Sequence, residues 1–144
     1  MEFKSFNNSD WAVCQPRFGS EFAMAFDLRA NEDLLLQPGE RRAVATGVTF
    51  STSNMNVGIR VLPRSGLALN HGVTVLNAPG IIDPDYQGKE IKVILVNQGA
   101  VPFSVVKGER IAQAEVYQKS SVHILGVART GETRGGGFGS TGVK

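Results

Sequence analysis

The chain has 144 residues, 42% of them hydrophobic, which is enough for one globular core and too few for two. Its 15 Lys and Arg against 13 Asp and Glu leave a formal net charge of +2, too weak a field to attract duplex nucleic acid or an anionic membrane, so an anionic ligand must be held locally. The single cysteine, Cys14, excludes an intrachain disulfide and a cysteine-based metal site and points to a reducing, cytoplasmic setting.

From the N-terminus, MEFKSFNNSDWAV mixes polar and aromatic side chains with no apolar signal core, and Trp11 is expected to anchor an N-terminal strand. Met24, Phe26 and Leu28 alternate with Ala25, Asp27 and Arg29, which predicts a strand with two distinct faces. RAVATGVTF (42–50) predicts one further strand, and the alternation of Val57, Ile59 and Val61 another. SGLALNHG is the one helix candidate, capped by Ser65 and ended by His71 and Gly72. VTVLN, FSVV, RIAQAEVY and VHILGV also fit strands, while IKVILVNQG, from Ile91, is a nearly continuous β-branched run that predicts a strand buried on both sides. Turns are expected at QPGE, NAPG, PDYQG and VKGE.

So many short strands between Gly, Pro and Asn turns indicate an all-β sandwich or barrel. The longest purely aliphatic run, VILV at 93–96, is far too short to span a membrane. After Val127 the apolar pattern stops, and ARTGETRGGGFGSTGVK has the composition of a mobile tail.

Four stretches carry residues suited to chemistry. In PRSGLALNHG (63–72), Arg64 and Ser65 at a helix start suit phosphate oxygens, or else form an ordinary cap beside a solvated arginine. In NAPGIIDPDYQG (77–88), Asp83 follows Ile81 and Ile82 and stands at the end of an apolar strand, where a partly desolvated carboxylate can accept a proton from water; Asp85 reads as a turn residue. In GERIAQ (108–113), Gln113 either satisfies backbone groups or faces a ligand. In RGGGFGSTG (134–142), glycine N–H groups and two hydroxyls can wrap an anion, or the segment is merely disordered. His71 and His123, far apart and with no cysteine partner, make a weak metal proposal.

Taken in order, AFDLRA (25–30) and these four stretches resemble the five motifs of the trimeric deoxyuridine triphosphate nucleotidohydrolases, the dUTPases, over roughly residues 16–142. The resemblance implies an all-β, jelly-roll-like β-barrel of the β-clip type with one short helix and a flexible C-terminal tail. It implies a barrel domain at 1–127 and a glycine-rich arm at 128–144 that closes over a neighbouring active site. The assembly would be a homotrimer with its sites at subunit boundaries. The activity implied is dUTP diphosphatase, in which Mg2+ assists water attack on the α-phosphorus to give dUMP and pyrophosphate.

Carried over residue by residue, the resemblance assigns Arg64, Ser65, Gly66 and Gln113 to the triphosphate. Asn77, Gly80 and Ile82 belong to a hairpin that receives uracil through main-chain hydrogen bonds. Tyr86 stacks beneath the deoxyribose and excludes a ribose 2′-hydroxyl, and Lys92 also contacts substrate. Asp83 activates the water, and Asp27 contacts Mg2+ through water. In the tail, Phe138 stacks over uracil, Gly139, Ser140 and Thr141 meet the terminal phosphates, and Arg134 reaches the γ-phosphate from one position nearer Phe138 than the family spacing. An extra residue before the strand at Lys92 implies a bulge at Lys89 or Glu90. Two other readings remain open: a nucleotide-responsive regulatory binding protein of the same fold with an unknown protein partner, and a dCTP deaminase relative; the setting is the cytoplasm, or host cytoplasm if the protein is virus-encoded.

Overall fold

The computed structural model describes residues 1–122. In chain order these form β1 (Glu2–Ser5), α1 (Trp11–Cys14), β2 (Arg17–Phe18), β3 (Phe26–Arg29), β4 (Leu34–Leu36), β5 (Arg41–Ala45), β6 (Val48–Ser51) and β7 (Val57–Leu62). There follow α2 (Ser65–His71), β8 (Val73–Val75), β9 (Gly80–Ile82), a 3-10 turn (Pro84–Tyr86), β10 (Lys92–Asn97), β11 (Phe103–Val105) and β12 (Arg110–Gln118). The boundary expected after Val127, the arm at 128–144, His123 and nearly all of VHILGV lie outside the described residues.

Among the described residues every strand pair is antiparallel. A five-stranded sheet runs β2-β3-β12-β7-β9 and a three-stranded one β5-β10-β8, with β1-β6 and β11-β4 as separate pairs. Short strands traded between separately hydrogen-bonded sheets give a jelly-roll-like arrangement rather than one continuously bonded barrel. The core lies between the sheets, where Phe26, Leu28, Val44, Phe50, Ile59, Val73, Leu95 and Ile111 are all buried. The alternation of β3 sends Phe26 and Leu28 inward and leaves Asp27 and Arg29 on the other face. β10, paired on one edge with β5 and on the other with β8, buries Val93, Leu95, Val96 and Asn97, as its sequence predicts.

Three local expectations change. RAVATGVTF is two strands, because Gly47 adopts φ +70 and its Cα lies so close to Ser9 and Asn31 that a Cβ would fall 2.9 Å from both. β5 therefore pairs with β10, and β6 turns away to pair with β1. Trp11 opens α1 instead of a strand, since the Asp10 carboxylate accepts from the Ala12 N–H at 3.0 Å and nucleates that turn. Ser65 is the first helical residue of α2 and Arg64 occupies the cap position without a side-chain cap bond, while Gly72 at φ +67 ends the helix as expected.

Candidate active site

β3, β12 and β7 lie side by side in register, with Gln113 opposite both Asp27 and Leu62. The Gln113 Nε2 donates to the Pro63 oxygen at 2.9 Å and so pins the exit of β7, from which Arg64 and Ser65 follow. This bond is the backbone-satisfying one of the two roles open to a half-buried glutamine, and it fixes the segment that carries the arginine while leaving Oε1 and the second Nε2 hydrogen outside that contact. Arg64 donates through Nη1 to the Arg110 oxygen at 2.7 Å, and its Nε lies 3.5 Å from Asp27 Oδ1. Arg110 Nη1 meets the other carboxylate oxygen, Asp27 Oδ2, at 3.2 Å.

Two guanidiniums thus converge on one carboxylate that is only 14% exposed, leaving a net positive charge in a partly desolvated place. Arg110 is the residue that sequence reasoning missed. A register shift between Arg110 and Ala112 in β12 accompanies its approach to Asp27, and nothing in the letters GERIAQ announces such an irregularity. The cluster opens on a cleft of about 850 Å³ whose walls include Arg17, Arg29, Arg64, Lys107 and Arg110. Ser65 and Gly66 stand exposed at the start of α2.

The other expected site residues sit elsewhere. β8 pairs with β10 and β9 with β7, so residues 76–79 form a corner between two sheets rather than the turn of a self-paired hairpin. The Ala78–Pro79 peptide in this corner is cis. Asn77 is exposed and turns its side chain toward Gly80, which is buried: a Cβ there would lie 3.4 Å from Asn77 Nδ2 and 3.3 Å from the Val61 side chain. Ile82 packs against the core. Asp83 leaves β9 half-buried in extended conformation and starts the 3-10 turn, accepting the Tyr86 N–H through its main-chain oxygen at 3.1 Å. Its carboxylate does not cap that turn.

Tyr86 leans on the core, and burial, with the Glu90 charge as a lesser cause, raises its phenol above the usual value. The phenol donates to the Glu90 oxygen at 3.0 Å. No strand bulge occurs at Lys89 or Glu90: Gly88 at φ +79 makes a turn closed by the Lys89 N–H to the Tyr86 oxygen, and β10 begins only at Lys92, which is exposed.

Along β7 the two groups lie at opposite ends. Ile82 stands opposite Ile59, so Asp83 falls beside Gly58, whereas Arg64 follows Leu62. The six residue-to-residue steps from 58 to 64 amount to about 20 Å of extended strand, too far for one bound nucleotide phosphate to touch both. Within one chain, Asp27, Arg64, Ser65, Arg110 and Gln113 come together; Asp83 and Tyr86 do not join them. Arg134, Phe138, Gly139, Ser140 and Thr141 lie outside the described residues. Among the described residues no three His, Cys, Asp or Glu side chains gather as a metal cage, and no helix is long and apolar enough to cross a membrane.

Solved structures that superpose on this fold include dUTPases. The enzyme from Streptococcus mutans superposes with a TM-score of 0.79 at 20% identity, covering 85% of this chain and 99% of that one. A dUTPase of phage phi11 of S. aureus, described with a structural Mg(II) ion, gives 0.73 at 15% identity over 91% and 98%. The fold is that of the dUTPases. In sequence, the dUTPase family model matches residues 11–142. The deoxyuridine 5'-triphosphate nucleotidohydrolase of Nautilia profundicola is 46% identical over 129 residues, 88% of this chain and 89% of that protein. The chain belongs to the dUTPase family.

Proposed function

We propose that this protein hydrolyses dUTP to dUMP and pyrophosphate in a homotrimer whose sites combine residues of different subunits. Family membership supports the reaction. The observation that supports the shared site is the separation of Asp83 from Arg64 along β7. One subunit supplies the cationic cluster for the triphosphate, and a neighbour supplies the corner at 77–82, Asp83 and Tyr86.

In that arrangement Arg64, Ser65, Gly66 and Gln113 bind phosphate oxygens, and Asp27 keeps the two guanidiniums oriented toward them. Asn77, Gly80 and Ile82 receive uracil, Tyr86 forms the floor under the sugar, and Lys92 adds a contact. The Asp83 carboxylate takes a proton from the attacking water, whose oxygen bonds to the α-phosphorus as the bond to the pyrophosphate oxygen breaks. Mg2+, borne by the triphosphate, supplies charge neutralisation when bound. The donor set suits this: the one nearly buried carboxylate at the cluster, Asp27, is already shared by two arginines, so it fits a contact to the ion's water and not a cage around the ion. Residues 134–141 close the site, with Arg134, Gly139, Ser140 and Thr141 on phosphates and Phe138 over the base. The protein works in the cytoplasm.

Pyrophosphate release from dUTP, dCTP, dTTP and UTP, in magnesium and again with chelator, tests this. Turnover restricted to dUTP and lost with chelator is expected. Equal turnover of UTP or dTTP contradicts it.

A further inference from the structure

Tyr86 is held by more than its packing. Its hydroxyl donates to the main-chain oxygen of Glu90 at 3.0 Å, closing the loop from 86 to 90 across the turn at Gly88. Glu90 is in turn anchored by its side chain, whose Oε1 accepts from the Gly47 N–H at 2.9 Å and whose carboxylate is only 14% exposed. Gly47 is a rigid anchor, at φ +70 with Ser9 and Asn31 against it. On either side the loop is tied to β6 by the Gly88 N–H to the Phe50 oxygen, 3.1 Å, and the Ile91 N–H to the Val48 oxygen, 2.8 Å. The ring is therefore connected to the sheet through the Glu90 main-chain oxygen, whose peptide is held on one side by the Ile91 N–H bond to Val48 and on the other by the Glu90 carboxylate on Gly47.

We infer that Glu90 is a positioning residue that sets substrate specificity: by bridging the Gly47 amide to the Tyr86 hydroxyl, it holds the ring at the height where a deoxyribose fits and a ribose does not. The inference rests on Tyr86 being the floor under the sugar. Glu90 touches no substrate and acts only through that ring. One added hydroxyl is a small difference, rejected by steric contact only as long as the wall cannot retreat. The contact of Lys92 Nζ with Glu90 Oε2, at 4.0 Å on a half-exposed lysine, contributes little to the hold.

The test compares the full-length parent with Glu90→Ala, Glu90→Gln and Tyr86→Phe, each checked by thermal melt. Two readouts are taken: the ratio of kcat/KM for dUTP to that for UTP, and the ring NMR signals of the two tyrosines, Tyr86 and Tyr117. Glu90→Ala is expected to lose about tenfold in the ratio, chiefly by gain on UTP, and to move the Tyr86 signals. Glu90→Gln keeps an acceptor for Gly47 and should stay within about twofold of the parent. Tyr86→Phe, which keeps the ring and the bond between Glu90 and Gly47 but removes the donor, should lose selectivity as Glu90→Ala does. A parental ratio in Glu90→Ala or in Tyr86→Phe overturns the inference, and so does a Glu90→Gln variant as unselective as Glu90→Ala. A parent that does not prefer dUTP to UTP shows that the role of Tyr86 has failed; Tyr86 signals that still move in Glu90→Ala then show that the bridge exists, and unmoved signals show that it does not.

Discussion

The two ends of β7 are built in opposite ways. At the Arg64 end, charged side chains from β3, the β7 exit and β12 meet across large sequence separations, so that Asp27 is joined to Arg110, 83 positions away. At the Asp83 end, one short stretch, 83–90, supplies the carboxylate, the ring and the support of the ring, held against β6 and Gly47 by backbone bonds together with the Glu90 carboxylate. The first design holds several positive charges close together around a shared anion. The second fixes the height and direction of two side chains. A triphosphate needs concentrated charge, while water activation and sugar selection need position.

Substitutions at the two ends should therefore fail differently. Asp83→Asn is expected to cost most, lowering kcat by at least about a hundredfold while dUTP still binds, as steady-state pyrophosphate release and calorimetry would measure. Turnover like the parent's would remove Asp83 from the chemistry. Asp27→Asn removes the charge that both guanidiniums share, and is expected to raise KM about tenfold and to cost roughly 2 kcal/mol of stability in urea, with a smaller effect on kcat. A fall in kcat alone would mean that the cluster acts on the reaction rather than on binding. The smallest effect is alkaline. Because burial raises the Tyr86 phenol above its usual 10.0 in the folded protein, the folded form keeps that proton longer than the unfolded chain. The associated stability is fully present below the unfolded value and is lost as pH rises through the folded one. Comparing the parent with Tyr86→Phe in melts as pH rises from the usual 10.0 through the raised folded value should show a steeper decline in the parent across that window; parallel declines would deny the burial effect.

How much the sequence discloses follows the same division. Asp83 at the end of an apolar strand and the helix ended by Gly72 are legible because they depend on neighbouring residues. The all-β class is legible from alternation, and β7 stands where it puts it, while β3 begins only at Phe26 and leaves Met24 exposed. The break at Gly47 is hidden, since a glycine inside an apolar alternation looks like part of a strand until Ser9 and Asn31 are brought against it. Arg110 is hidden for a related reason: its role depends on a register irregularity between strands distant in sequence. Gln113 could be singled out by type, but its partner, the Pro63 oxygen, follows only from the alignment of β12 with β7. Motif resemblance reaches further than these local rules because it implies an assembled site, and with it the proposed division between subunits, which no single chain displays.

That division is the central claim, and mixing two inactive variants tests it most directly. Arg64→Ala and Asp83→Asn are each expected to be nearly inactive alone. After unfolding and refolding together in equal amounts, a cyclic trimer with sites shared between neighbours gives roughly a quarter of its sites both an intact Arg64 and an intact Asp83, so activity should return to about that fraction of the parent. A mixture that stays as inactive as its components, although mass measurement shows mixed trimers, would place both residues in a site contained within one chain and contradict the account.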